Sequence, residues 1–207
     1  MAKLTLNKTS LKRETDQLRL CLRLLPPLDM KRRQLTAQLR RARRALADDE
    51  ARLAVLLDEA AAQLPMLAHE TPRLAGLLRV TAMHRGEENV VGVRLPVLAG
   101  VEFQQAPYDP LAAPPWLDVL LERLREAATL RLRIAVGAER VERLERATRR
   151  ITQRVNLFDK VLIPGFRANI RRIRAFLADA ERAAVVRSKL AKAMHQAADT
   201  AGWEPQP

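Results

Sequence analysis

The chain has 207 residues, 48% hydrophobic but only 3% aromatic, with 29% charged side chains and 7 glycines. Aromatic side chains supply much of a globular core, so this composition excludes a thick single core and points to long helices lying against each other. One cysteine, Cys21, excludes an internal disulfide, and no apolar run approaches the roughly 18 to 20 residues that cross a bilayer.

The formal net charge is +13, and its distribution is uneven. Residues 1–47 carry 13 Lys/Arg against 3 Asp/Glu, and residues 149–192 carry 12 against 3. Residues 48–148 between them carry 12 basic and 16 acidic side chains. If the two basic stretches lie side by side, one end of the molecule is strongly basic and the other mildly acidic. The start, Met1-Ala-Lys-Leu-Thr-Leu-Asn-Lys8, has no signal-peptide core. A reducing, cytoplasmic setting is expected, with any membrane connection made through partners.

The first arm is predicted as a helix over residues 1–69, with Thr9 as its N-cap. Leu11, Leu18, Leu22, Leu25 and Leu28 mark one face. After a gap, Leu35, Leu39, Ala42, Leu46, Leu53, Leu56, Ala60, Leu64 and Leu67 continue it. Pro26-Pro27 lack amide hydrogens and clash with the preceding turn, so a kink or short break is expected near Leu25. Pro65 is a second expected irregularity.

Over residues 70–116 the helical period disappears, and Gly76, Gly86, Gly92 and Gly100 punctuate short β-like runs together with Pro72, Pro96, Pro107, Pro110, Pro114 and Pro115. The segments from Leu78 to His84 and from Asn89 to Leu95 read as a hairpin with a four-residue turn, Arg85-Gly-Glu-Glu88. The second arm is predicted as a helix over residues 117–196, opening at Pro114-Pro115-Trp116-Leu117-Asp118, with a flexible tail over 197–207. Its seam, Ile134, Val141, Leu144, Thr148, Ile151, Val155, Phe158 and Leu162, has alternating gaps of three and four, apart from one seven-residue step over Gly137-Ala138. Around Pro164-Gly165 the pattern shifts by one position and resumes as Ile163, Phe166, Ile170, Ile173, Leu177, Ala180 and Ala184, which reads as a kink within a continuing helix.

The expected fold is therefore mainly α: a long antiparallel two-helix coiled coil of N- and C-terminal helices, with a small β-hairpin at the bend. Catalytic signatures are absent from the sequence: it has no phosphate loop, no nucleophile elbow, and no metal-ligand spacing among His69, His84, His195 and Cys21. No catalytic, metal or cofactor-binding residue is expected. The clusters Arg40-Arg41, Arg43-Arg44, Arg149-Arg150 and Arg171-Arg172-Ile173-Arg174 attract nucleic-acid phosphates in principle. They flank apolar seams without interleaved aromatics for base stacking, so a solvated coiled-coil face is the simpler reading and no nucleic-acid partner is expected.

Three motifs, in the same order, resemble the D subunit of V-type and A-type ATPases. Leu28-Asp-Met-Lys-Arg-Arg-Gln-Leu35 is similar to the family's Leu-Lys-x-Lys-Arg-x-x-Leu, with Asp29 in place of the usual Lys. Asn89-Val-Val-Gly-Val-Arg-Leu-Pro96 resembles its Asn-x-x-Gly-Val-x-x-Pro through Asn89, Gly92, Val93 and Pro96. The run from Arg149 to Pro164 resembles its C-terminal signature through Arg149, Arg150, Arg154, Val155, Asn156, Ile163 and Pro164. A further departure is Pro26-Pro27, which stands where the family has a Gly-containing helical segment.

The resemblance implies a non-catalytic rotor axle, the central stalk of a rotary ATPase. Its coiled coil would insert into a ring of catalytic and non-catalytic subunits of A and B type. The small central-stalk F subunit would dock on its flank, and a connector subunit of the membrane sector would meet its bend. The complex would lie on the inner face of the cell membrane. Lys12, Arg13, Arg187, Lys189 and Lys192, near the basic tip, are the expected contacts to acidic or carbonyl-rich loops of the ring. The reading from charge alone is a basic coiled-coil protein that binds nucleic acid or acts as a scaffold.

Overall fold

The computed structural model describes residues 5–65, 76–108 and 113–201. In chain order it has α1 (Lys8–Gln63), β1 (Leu78–Val90), β2 (Val93–Gln105), α2 (Leu117–Leu157), a π-helical turn (Phe158–Leu162) and α3 (Ile163–Ala201). The protein is mainly helical, with a two-stranded antiparallel sheet between its N- and C-terminal helices in the chain. No described helix is long and apolar enough to cross a membrane. The chain forms two units, residues 1–29 with 153–207, and residues 30–152.

α1 begins one residue before the expected cap. The Asn7 side chain, not Thr9, accepts the Ser10 amide at 2.7 Å, and the Asn7 carbonyl accepts the first helical bond from Leu11 at 3.0 Å. The helix is not broken at Pro26-Pro27. Two amide donors are lost there, but Leu25 and Leu28 on either side are half-buried, and that packing sustains the helix. α1 ends at Gln63, short of the expected His69, because Pro65 disfavours helical geometry in the residue before it. Leu67 and residues 66–75 lie outside the described residues. At the other end of the chain α3 continues to Ala201, past the expected end at residue 196, and the rest of the expected tail, 202–207, lies outside the described residues.

In the first unit, Glu14 of α1 accepts a 2.9 Å hydrogen bond from Asn169 of α3. Burial extends along α1 from Leu11 to Leu28 and, on the other strand of the pair, from Val155 to Leu177. With residue 14 opposite 169, only an antiparallel pairing covers both ranges; a parallel one would set Leu28 against the exposed residue 183. The buried seam contains Cys21, Val155, Ile163, Ile170 and Ile173. Leu22, expected in the seam, is 42% exposed, and Cys21 takes its place. The steps Leu18, Cys21, Leu25, Leu28 alternate three, four, three, whereas Leu22 breaks that phase.

In the second unit, α1 and α2 also run antiparallel: Arg43 meets Glu145 at 2.5 Å, Asp49 meets Arg133 at 3.9 Å, and Leu46 faces Gly137. The gaps in the expected seam are filled by residues that are not apolar or have no side chain. Half-buried Arg32 lies between Leu28 and Leu35, and half-buried Asp49 between Leu46 and Leu53. Gly137 fills the seven-residue step on α2, where an added Cβ would come within 3.4 Å of Leu46 Cδ1. At the end of this unit Leu64 packs with Leu117, Leu120 and Leu121, flanked by Leu77, Leu78, Tyr108, Ala113 and Trp116.

The hairpin is present, but its turn is displaced. Arg85–Glu88 belong to β1, opposite Leu98–Leu95 of β2, and the chain reverses at Val91-Gly92, with Val90 paired to Val93. Both turn residues have positive φ, 54° and 77°, as two-residue hairpin turns of the I′ class require. Gly92 reaches this conformation freely, whereas Val91 pays for it with its branched Cβ.

Candidate functional site

The C-terminal motif surrounds the π turn. Eight residues separate Val155 from Ile163, both buried in the seam. At 3.6 residues per turn, eight residues rotate by about 800°, roughly 80° beyond two full turns, which would carry Ile163 off the seam. The π turn absorbs that excess: the Ile163 amide bonds to the Phe158 carbonyl, one residue further back than in an α-helix. Pro164 has no amide to continue the pattern and terminates it. The one-position shift in the sequence is this extra residue. Within the motif, Arg150, Arg154, Asn156 and Pro164 are exposed, and Arg149 pairs with Glu145 at 3.5 Å.

The hairpin motif lies against the second unit's helices. Gly92 is at the tip, where an added Cβ would come within 3.4 Å of Lys31 Nζ. Val93 is half-buried, Pro96 is buried beside fully buried Leu95, and Asn89 is exposed. A ladder of charged contacts fixes the hairpin along α2. Arg140 reaches Glu88 at 2.9 Å, Arg85 reaches Glu139 at 3.3 Å, and Arg143 bonds to Glu139 at 2.7 Å and to the Arg94 carbonyl at 3.2 Å. At the hairpin's base Arg125 bonds to Gln105. Apart from the local Arg143–Glu139 pair within α2, these contacts join residues 20 to 54 apart, and no local sequence signal marks them.

The five expected partner-contact residues are all exposed, but they form two groups. Lys12 and Arg13 immediately precede Glu14, where α1 is paired. Arg187, Lys189 and Lys192 lie 18 or more residues beyond Asn169, about 27 Å along the helix, in a part of α3 where every described side chain from Asp179 to Ala197 is exposed. The single basic tip is thus replaced by two separate patches in this unit. None of the five makes an ion pair among the described residues.

Among the described residues two ionisable groups are shifted. The Arg43 guanidinium donates to Glu145 and holds its carboxyl below the ordinary 4.5. The Tyr108 hydroxyl donates to Asp118, which, with some burial, raises it above the ordinary 10.0. His84 pairs with Glu102 at 2.7 Å, His195 is exposed, and His69 is outside the described residues. Among the described residues no three His, Cys, Asp or Glu side chains converge on a metal-sized site.

A family model described as the D subunit of ATP synthase matches residues 10–193. A protein of Borreliella burgdorferi named as the D subunit of a V-type ATP synthase is 30% identical over 192 residues, covering 93% of this chain and 95% of its own. A protein of the same name from Chlamydia trachomatis is 31% identical over 193 residues, covering 92% and 95%. One from Chlamydia pneumoniae is 29% identical over 189 residues, covering 90% of each.

Proposed function

The chain belongs to the D-subunit family of ATP synthases, and from that membership we propose that it is the non-catalytic central-stalk subunit, the rotor shaft, of a V/A-type rotary ATPase. In this role it couples ATP hydrolysis or synthesis in the catalytic ring to ion translocation in the membrane sector. It binds no nucleotide itself. Its partners are the A- and B-type ring subunits, the small central-stalk F subunit and the membrane-sector connector, on the inner face of the cell membrane.

The observation that carries this reading is the match over residues 10–193, which includes both helix pairs and the hairpin. The physical demand on a shaft is torsional stiffness, and antiparallel seams with alternating three- and four-residue steps supply it. Asymmetry in such a shaft presents a different face to each catalytic interface as it turns, so each site takes its conformations in sequence. Arg187, Lys189 and Lys192, on an uncovered helix, are well placed for ring loops, with Lys12 and Arg13 as a second contact. The Arg-rich surface is also less free for phosphates than its count implies, because Arg43, Arg140, Arg143 and Arg149 are held by carboxylates.

Purification of the tagged chain from native membranes, followed by ATP-driven ion transport in vesicles with and without it, tests the proposal. Ring ATPase subunits should copurify, and transport should require the chain. Tight DNA binding that falls steeply with salt, with no copurifying ATPase, would favour the nucleic-acid reading instead.

A further inference from the structure

One side of the first unit's helix pair carries apolar side chains that the pair does not cover. On α1, Leu20 and Leu24 immediately precede the seam residues Cys21 and Leu25. On the opposing strand, Leu157 and Val161 immediately precede Phe158 and Leu162. Which sides these offsets occupy can be read from the second unit, where Arg43 and Glu145 each immediately follow a seam residue and meet across the pair at 2.5 Å. In an antiparallel pair equal offsets share a side, so residues preceding the seam share the other one. With Glu14 opposite Asn169, Leu20 and Leu24 fall opposite residues near 163 and 159, across the seam from Leu157 and Val161. All four are 40% to 58% exposed.

The surroundings of this patch are basic. Arg154 and Arg172, also immediately before seam residues Val155 and Ile173, bracket it along the helix, and neither has an ion-pair partner among the described residues. Over the buried stretches of the pair, Leu11 to Leu28 and Val155 to Leu177, no residue that immediately precedes a seam position is a carboxylate. A contiguous apolar patch with a one-signed rim is the form of a binding surface. Another copy of the chain is a poor occupant, because its own first unit carries 16 basic against 8 acidic side chains.

We propose that this side of the first helix pair is a docking surface for an amphipathic helix whose apolar stripe is flanked by carboxylates. Given the reading of the chain as an ATPase shaft, the occupant is a helix of a neighbouring subunit in the complex. Leu20, Leu24, Leu157 and Val161 take its apolar stripe, and Arg154 and Arg172 pair with its carboxylates.

The test places the photocrosslinker p-benzoylphenylalanine at Leu157 or Val161, or at Leu22 and Asp159 as controls on the other side, in the tagged full chain expressed in its own cells. Adducts from Leu157 and Val161, mapped to a helix with flanking Asp/Glu, are expected, with at least fivefold lower yield from the controls. The double variant Arg154→Glu, Arg172→Glu, confirmed folded by circular dichroism, should lower adduct yield at least fivefold. No adduct from these positions, equal yield from the controls, or an adduct with a second copy of the chain would overturn the surface. Copurification of ring ATPase subunits is scored in parallel. If they copurify without the adduct, the surface fails and the shaft reading stands; if the adduct forms to an acidic helix outside any ATPase, the shaft reading fails and the surface stands.

Discussion

If the π turn exists to correct the phase of the seam, the extra residue is its cause and Pro164 only its terminator. Deleting Lys160 while replacing Pro164 with Ala leaves seven residues between Val155 and Ile163, a rotation of about 700°, within about 20° of two turns, which a coiled coil accommodates. The variant should fold with a plain α-helix through this segment and be at least as stable as the parent. Deleting exposed Ala168 from the regular helix beyond the turn instead rotates Ile170 and Ile173, 6% and 0% exposed, by about 100° out of the seam. At about 1.5 to 3 kcal/mol for each buried side chain, that deletion should cost roughly 3 to 6 kcal/mol. Urea unfolding followed by circular dichroism measures the difference, and hydrogen exchange over residues 163–178 localises it. Pro164→Ala alone, at native length, should retain the turn. If removing Lys160 together with Pro164 cost as much as removing Ala168, the phase-correction argument would be wrong.

Other expectations follow from single side chains. Thr148 Oγ1 is buried in the seam with no hydrogen-bond partner among the described residues, so Thr148→Val should raise the stability of the second unit by about 1 to 2 kcal/mol in a urea melt. Val91 at φ 54° holds a strained conformation that Asn tolerates better, and Val91→Asn should add about 1 kcal/mol, read from the same melt. Because Arg43 holds Glu145 below its ordinary value, the pair's contribution is complete at neutral pH and is lost as pH falls through the lowered folded value. The stability difference between the parent and Arg43→Ala should therefore shrink from about pH 6 to about pH 3. A difference that grew on acidification would contradict this. At Gly137, Ala should be neutral or stabilising, by up to about 1 kcal/mol, since helix propensity rises and Leu46 is just within contact range; Leu should overpack the seam and cost about 1 to 3 kcal/mol.

The helical arms were legible because their apolar positions recur with a period that no other element shares, and even the one-residue shift before Pro164 was visible as a break in that period. What remained hidden were the seam positions that hydrophobicity does not mark. Cys21 loses to Leu22 on apolarity but wins on phase, Gly137 has no side chain to count, and Arg32 and Asp49 read as surface charges. The hairpin turn was misplaced for a related reason. Arg85-Gly-Glu-Glu88 has the glycine and polarity of a turn, while Val91 is a β-branched residue in a conformation such residues avoid. The register is held by contacts of Arg140, Arg143 and Glu139 with β1 and β2, some 50 residues away in the chain, and turn propensity alone cannot anticipate them.

Those same hidden positions bear on how two helices choose one pairing. A seam made only of Leu and Ile pairs almost as well when slid by one heptad, because every apolar position finds an equivalent partner. Glu14 of the first unit loses Asn169 on such a slide, and Asp49 of the second loses Arg133 while keeping Arg52 of its own helix. The half-buried Glu14 and Asn169 would be left without each other, at a cost of about 1 to 3 kcal/mol. Gly137 adds a steric version of the same constraint, since a seven-residue slide would bring a full side chain where only its bare backbone now faces Leu46. The polar and small seam positions thus weaken each pair slightly and fix its register, which a shaft transmitting torque needs more than it needs the last few kcal/mol.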